Sequence, residues 1–353
     1  MYEITLKGTA HERGFQQGQV FGKLILELFG QCPIWLGNMP HERAAKIRGT
    51  MVNSLRSLCP EMVEELEGIA EGAGMPFHDV CTLNFVSAIG ALNGCTNVVA
   101  LKTEEGPVLA KTSDIGSDYA YYSIQRVEPK QGYSYFAISW VGCLWAEVGI
   151  NSAGLATGQG SAPTMPGQRG EGIPTLEYPR VILERCSTVV EAIQFCQDTP
   201  MAGKGLNIAL VDGAGQAAVV EKSGTKFAVR RPLVGGNPPL LGRAMNGLYC
   251  TNHFLEPEMQ GMIPLVIPDI PSLTDNSQKR LANVARFFKE TPSPTVEDMV
   301  SLLKTSFEEG GLCQHTYPQL TTHYSYIVLP SKREMRISQG IPCKDVTFSA
   351  YRF

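Results

Sequence analysis

The sequence predicts an α+β fold with layered antiparallel sheets. Its elements come in blocks, helices then strands then helices again, where a doubly wound fold would alternate them one by one. Between residues 98 and 150 the connections are too short for crossover helices, so these strands read as an antiparallel meander. A chain of 353 residues that is 43% hydrophobic and 18% charged has ample material for a core, and global disorder is excluded.

The first ninety residues read as helical after a short strand, Tyr2 to Leu6. From His11 to Gly30, the side chains of Phe15, Phe21, Ile25 and Leu28 fall on one helical face. Gly14, Gly18 and Gly22 recur every four residues on that cylinder. Each costs a helix ~1 kcal/mol, so another backbone is expected to pass very close. Further helices are expected from His41 to Leu58, from Glu61 to Ala73 with a stop at Gly74 before Pro76, and near His78 to Phe85. Strands follow: Val98 to Leu101, then Pro107 to Lys111 after a turn at Glu104-Glu105-Gly106, then Tyr119 to Val127, Tyr133 to Trp140 and Leu144 to Ile150. Helices near Tyr178 to Cys186 and Val189 to Gln197 lead to strands at Leu206 to Val211, Ala217 to Glu221 and Phe227 to Arg231. Helices from Gln278 to Lys289 and Val296 to Leu303 precede a last hairpin, Tyr324 to Leu329 with Glu334 to Ser338. The Gly/Pro-rich stretches Gln159 to Pro174, Gly235 to Gly247 and Glu256 to Ser272 read as long irregular loops of the kind that wall pockets.

Lys and Arg total 30 against 34 Asp and Glu, a formal charge of -4, which argues against a nucleic-acid partner bound through a chain-wide basic surface. No apolar run approaches the ~20 residues that cross a bilayer, so no membrane partner is expected. The start lacks the basic stretch and apolar run of a signal peptide. None of the ten cysteines forms a C-x-x-C pair. His11, His41, His78, His315 and His323 are scattered without metal-ligand spacing, so no metal and no redox cofactor is expected. The thiols read as reduced and mostly buried in a cytoplasmic protein, and homo-oligomerisation stays open.

Asn93-Gly94-Cys95-Thr96 is the first candidate for chemistry. Taken alone it reads as an Asn-Gly turn followed by one more buried cysteine. However, Cys95 opens a strand, follows a glycine that tolerates strained backbone, and precedes a hydroxyl residue. A thiol so placed can attack the preceding carbonyl and form a thioester that water cleaves. The new α-amine, with an ordinary pKa of about 8, then serves as the thiol's own general base. Lys111-Thr112-Ser113-Asp114 lies at the far end of the hairpin that Cys95 begins. A hairpin returns its end beside its start, so Asp114, nineteen residues on, is a candidate to hold that amine, although a turn aspartate capping a loop fits the same position.

These segments resemble the acyl-coenzyme A:6-aminopenicillanic-acid acyltransferase family, N-terminal nucleophile (Ntn) hydrolases related to bile salt hydrolase and penicillin V acylase. Gly94-Cys95-Thr96 resembles the family's autocleavage site. Lys111 to Asp114 resembles its basic-or-polar-x-x-Asp segment, with Lys111 where bile salt hydrolases carry arginine and its bidentate fork. Gly149 to Leu155, Arg180 to Ile193, Leu210 to Glu221, Thr251-Asn252-His253-Phe254 and Ser277-x-x-Arg280 are similar to further family segments in the same order.

The resemblance implies a four-layer αββα sandwich, cut between Gly94 and Cys95 into a helical proregion, 1–94, and a catalytic fragment, 95–353, that stay together as one domain. It implies Cys95 as nucleophile and Asp114 as the group that holds its amine. Asn252 would donate to the oxyanion, worth ~3 kcal/mol. Arg280 would lower the pKa of Asp114 or the thiolate by charge. A second oxyanion donor would lie near Gly158 or Gln159. The expected enzyme is an amidohydrolase or acyltransferase acting on small-molecule amides or thioesters. Two alternatives stay open: an uncut binding protein with the same fold, and a Cys–His hydrolase using His253. Trp35, Trp140 and Trp145 read as core, the last two also as candidate walls of an acyl pocket.

Overall fold

A computed structural model describes residues 1–32, 39–89, 94–115, 121–164, 171–233, 241–261, 272–315, 320–338, 340–344 and 346–353. Asn93 and Trp35 lie outside them, as do parts of the three Gly/Pro-rich stretches. The chain opens with β1 (Tyr2–Gly8) and four helices, α1 (Ala10–Phe29), α2 (His41–Leu58), α3 (Pro60–Ala73) and α4 (Phe77–Ile89). Thr9 caps α1 reciprocally with Glu12, a pairing worth ~1 kcal/mol. The glycines of α1 have the expected cause: a Cβ on Gly14 would sit 2.0 Å from the Glu65 carbonyl oxygen of α3.

Strands β2 (Gly94–Ala100), β3 (Val108–Ile115), β4 (Tyr122–Pro129), β5 (Tyr135–Trp140), β6 (Val148–Asn151), β7 (Ala156–Ala162) and the short β8 (Ile173–Pro174) follow. Then come α5 (Tyr178–Arg185), α6 (Val189–Asp198), β9 (Met201–Ala202), β10 (Gly205–Val211), β11 (Ala217–Lys222), β12 (Phe227–Arg230), β13 (Arg243–Ala244) and β14 (Gly247–Cys250). The chain finishes with α7 (Ser272–Glu290), α8 (Val296–Lys304), β15 (Thr321–Leu329), β16 (Glu334–Ser338) and β17 (Phe348–Arg352).

Two sheets stack face to face, one ordered β1-β4-β5-β6-β7-β10-β11-β12 and the other β13-β14-β2-β3-β15-β16-β17. Helices α1, α5 and α6 lie against the first sheet, and α7 and α8 against the second, which completes four layers. The fold is the α+β sandwich of antiparallel sheets that the sequence predicts, with two departures. The expected single meander is divided, β2 and β3 belonging to one sheet and β4 to β7 to the other. Short connections fix the direction of neighbouring strands, not which layer they join. Also, β1 runs parallel to β4, so the first segment contributes a sheet edge as well as helices.

Strand β7 occupies the start of a stretch read as loop. Its sequence, Ala156 to Ala162, is small and Gly-rich, of low strand propensity, yet it is wholly buried in mid-sheet. A Cβ on Gly158 would lie 2.4 Å from Asn97 Oδ1 of the facing sheet, so the strand trades propensity for close approach of the two sheets.

A buried ion cluster ties three helices together. Arg13 and Arg180 both donate to Glu65, at 2.8 and 2.6 Å, and Arg13 also reaches Glu184 at 3.2 Å. Arg180 is thus a structural tie. Trp140 and Trp145 are buried and packed on each other, ring centroids 4.7 Å apart. Among the described residues no helix is long and apolar enough to cross a membrane.

Candidate active site

Antiparallel pairing of β2 with β3 sets Gly94 opposite Asp114, Cys95 opposite Ser113 and Asn97 opposite Lys111. Because side chains alternate along a strand, Cys95, Asn97, Lys111 and Ser113 face the other sheet, while Thr96, Thr112 and Asp114 face α7 and α8. The sulfur and the carboxylate therefore lie on opposite faces, with the backbone of the Gly94–Cys95 junction between them. A Cβ on Gly94 would come within 3.0 Å of Asp114 Cβ and 3.3 Å of its Oδ2, so the carboxylate rests against the residue before Cys95.

On the sulfur face, Cys95 is 4% exposed but its surroundings are polar. Lys111 Nζ donates to Cys95 Sγ at 3.4 Å, to the Thr112 carbonyl at 3.0 Å and to Glu147 Oε1 at 2.6 Å. Ser113 Oγ donates to the same Glu147 oxygen. Burial pushes the Cys95 thiol above its ordinary value, and the Lys111 ammonium pulls it back. Burial also works against the ammonium, but the negative charge of Cys95 and Glu147 outweighs it and Lys111 titrates above an ordinary lysine.

On the other face Asp114 is fully buried. Thr322 Oγ1 donates to Oδ1 at 2.6 Å and Gln314 Nε2 to Oδ2 at 2.7 Å. Arg280, from α7, approaches Oδ2 at 4.0 Å, donates to Thr96 Oγ1 at 2.9 Å and also to the Cys95 carbonyl oxygen. Its other terminal nitrogen donates to Asn252 Oδ1 at 2.7 Å, and that oxygen accepts the Cys95 N–H at 2.9 Å. Asn252 Nδ2 donates to the Ser161 carbonyl of β7 at 2.8 Å. The resemblance implies that Arg280 lowers the Asp114 pKa; it pulls that way, but burial is the larger effect and the carboxyl titrates above its usual range. The thiol is likewise raised on balance by burial.

All five sequence candidates, Cys95, Lys111, Asp114, Asn252 and Arg280, therefore converge on one strand end. His253 does not join them. Its Nδ1 meets Ser277 Oγ at 2.8 Å and Thr251 Oγ1 at 3.3 Å, and burial, with help from Arg280, pushes its pKa down to about 4. Ser277 also accepts the Asn252 backbone N–H at 2.9 Å, so His253 braces the segment that carries Asn252. Glu221 braces the same segment further along. Paired with Arg230 at 2.8 Å, it accepts the backbone N–H groups of Leu255 and Glu256. Sequence reasoning missed Glu147, Gln314 and Thr322. Each arrives from a distant segment, and an isolated Glu, Gln or Thr carries no spacing signal.

Residues 101–341 match the family described as acyl-coenzyme A:6-aminopenicillanic acid acyl-transferase, a match that begins six residues after Cys95. No curated protein matches the chain. Among solved structures, a mutant of the conjugated bile acid hydrolase from Clostridium perfringens is similar at 12% identity and a TM-score of 0.48, over 73% of this chain and 92% of the other. Penicillin V acylase from Agrobacterium tumefaciens is similar at 14% identity and a TM-score of 0.43, over 72% and 84%. The Caenorhabditis elegans ortholog of N-acylethanolamine-hydrolyzing acid amidase aligns at 14% identity and a TM-score of 0.43, over 67% and 93%.

Proposed function

The chain belongs to the acyl-coenzyme A:6-aminopenicillanic acid acyl-transferase family, and from that premise we propose that it is an Ntn-type cysteine amidohydrolase or acyltransferase, active after cutting itself between Gly94 and Cys95. The observation that carries the proposal is the treatment of one peptide: its N–H rests on Asn252, the following carbonyl on Arg280, and the residue before it against Asp114.

In the cleavage step the Cys95 sulfur bonds to the Gly94 carbonyl carbon, the C–N bond breaks, and the thiol proton ends on the nitrogen. Water then hydrolyses the thioester, leaving a Gly94 carboxylate, a free thiol and a Cys95 amine. Asp114, resting against Gly94, is the anion for that amine. In turnover the amine takes the thiol proton, the sulfur attacks a substrate carbonyl, and the proton passes to the departing amine or thiol. Asn252 is assigned as the oxyanion donor through its side-chain amide, which already gives one hydrogen bond to the Ser161 carbonyl. Water or an amine then releases the acyl group. His253, neutral at physiological pH and turned towards Ser277, is not the base in this scheme.

The substrate is a small-molecule amide or acyl thioester. The ten cysteines, nine buried and one half-buried, are all free, which fits a reducing, cytoplasmic setting. A panel of N-acyl amino acids, penicillins and acyl-CoA thioesters tests the activity. The expected result is release of product and a trapped acyl adduct on the peptide that begins at Cys95, both lost in Cys95→Ala. Turnover that persists in a folded Cys95→Ala protein refutes the assignment.

A further inference from the structure

We infer that Cys313, His315 and Cys343 form a binding site for one thiophilic divalent cation of the zinc class, behind the catalytic carboxylate. In the sequence the two cysteines are thirty residues apart and show no ligand spacing, but the fold brings one donor atom of each residue within 4.8 Å of the others. Cys343 Sγ lies 3.6 Å from His315 Nδ1. In a tetrahedral site with Zn–S of about 2.3 Å and Zn–N of about 2.05 Å, sulfur and nitrogen stand about 3.6 Å apart, so this edge is already at its ligated length.

The backbone N–H of Cys343 donates to Cys313 Sγ at 3.3 Å, an outer bond that orients the sulfur. Burial is graded, with Cys313 buried, Cys343 half-buried and His315 exposed, which gives an ion a route in from solvent. Binding displaces one proton from each thiol and uses neutral imidazole, so a divalent ion bound by two thiolates and a histidine leaves the cluster uncharged and one coordination position open.

The position gives the ion a consequence for the site next door. Gln314 lies between two of the ligands, donates to Asp114 Oδ2 at 2.7 Å, and exchanges backbone and side-chain bonds with Thr322, the other donor to Asp114. A bound ion fixes the segment that holds the carboxylate.

Cobalt(II) titration of the full-length, reduced, chelator-treated protein tests the inference. The expected result is one equivalent bound, with a thiolate-to-cobalt charge-transfer band and the visible bands of tetrahedral cobalt, displaced by stoichiometric zinc. Cys343→Ser should abolish the bands and His315→Ala should weaken binding at least 100-fold, while Cys186→Ser, in a different part of the core, should leave it unchanged. His315 is exposed, so its variant reports even if Cys343→Ser misfolds. Absence of stoichiometric cobalt, or binding unaffected by both variants, overturns the inference. So does a Cys313–Cys343 disulfide that survives reduction and blocks cobalt.

Discussion

Lys111→Met removes the ammonium that stands 3.4 Å from the Cys95 sulfur while keeping its unbranched stem. At an effective dielectric of about 20, opposite unit charges at that distance attract by roughly 5 kcal/mol. Glu147 repels the same thiolate and cancels part of this. Lys111 is the larger of the two influences, so losing both charges in Lys111→Met/Glu147→Gln disfavours the thiolate. The double variant is the informative one, because Lys111→Met alone leaves Glu147 as an unpaired buried charge and is expected to cost ~3–5 kcal/mol of stability. The assay is the rate of iodoacetamide labelling against pH, read by mass spectrometry on the Cys95 peptide so that the other nine thiols do not contribute. The double variant should move the midpoint up, and Glu147→Gln alone should move it down, since it removes only the repulsion. A folded double variant with an unmoved midpoint, or a Glu147→Gln shift in the upward direction, refutes the charge assignment.

Glu177, just before α5, is buried with its pKa pushed up to about 8, mainly by burial, so the folded chain holds that proton more tightly than the unfolded one. Its share of stability is present below pH 4.5 and lost as pH rises through 8, about 3 kcal/mol by pH 7; urea unfolding should show that slope in the native protein and not in Glu177→Gln. His253→Ala should keep self-cleavage and leave the pH dependence of turnover unchanged, because His253 braces Ser277 without touching the sulfur; a variant that stays whole and inactive would favour a Cys–His mechanism. Gly14→Ala sets a methyl 2.0 Å from the Glu65 carbonyl oxygen and should destabilise at or beyond the upper end of the ~1–3 kcal/mol range for overpacking, measured as a lower urea midpoint.

What the sequence disclosed follows from how local each signal is. Cys95, Lys111 and Asp114 share one hairpin, so spacing alone brings them together, although it does not reveal that sulfur and carboxylate end on opposite faces of the sheet. Asn252 and Arg280 are 157 and 185 residues from Cys95 and are reached only through resemblance. Glu147, Gln314 and Thr322 are out of reach, because their roles exist only after two sheets and a distant loop have packed. Strand β7 is hidden for a related reason: Gly158 answers to the approach of Asn97 and Gly160 to that of the Thr251 carbonyl, not to any local preference for a loop. The glycines of α1 are legible because a helix tolerates three of them only for a packing reason.

Intact-mass spectrometry of freshly purified wild-type and Cys95→Ala protein, followed over a prolonged incubation, tests the central claim most directly. The account predicts that the wild-type chain resolves into fragments 1–94 and 95–353 whose masses together exceed the precursor by one water, while the variant stays whole. A folded wild-type chain that remains a single uncut species throughout would contradict it.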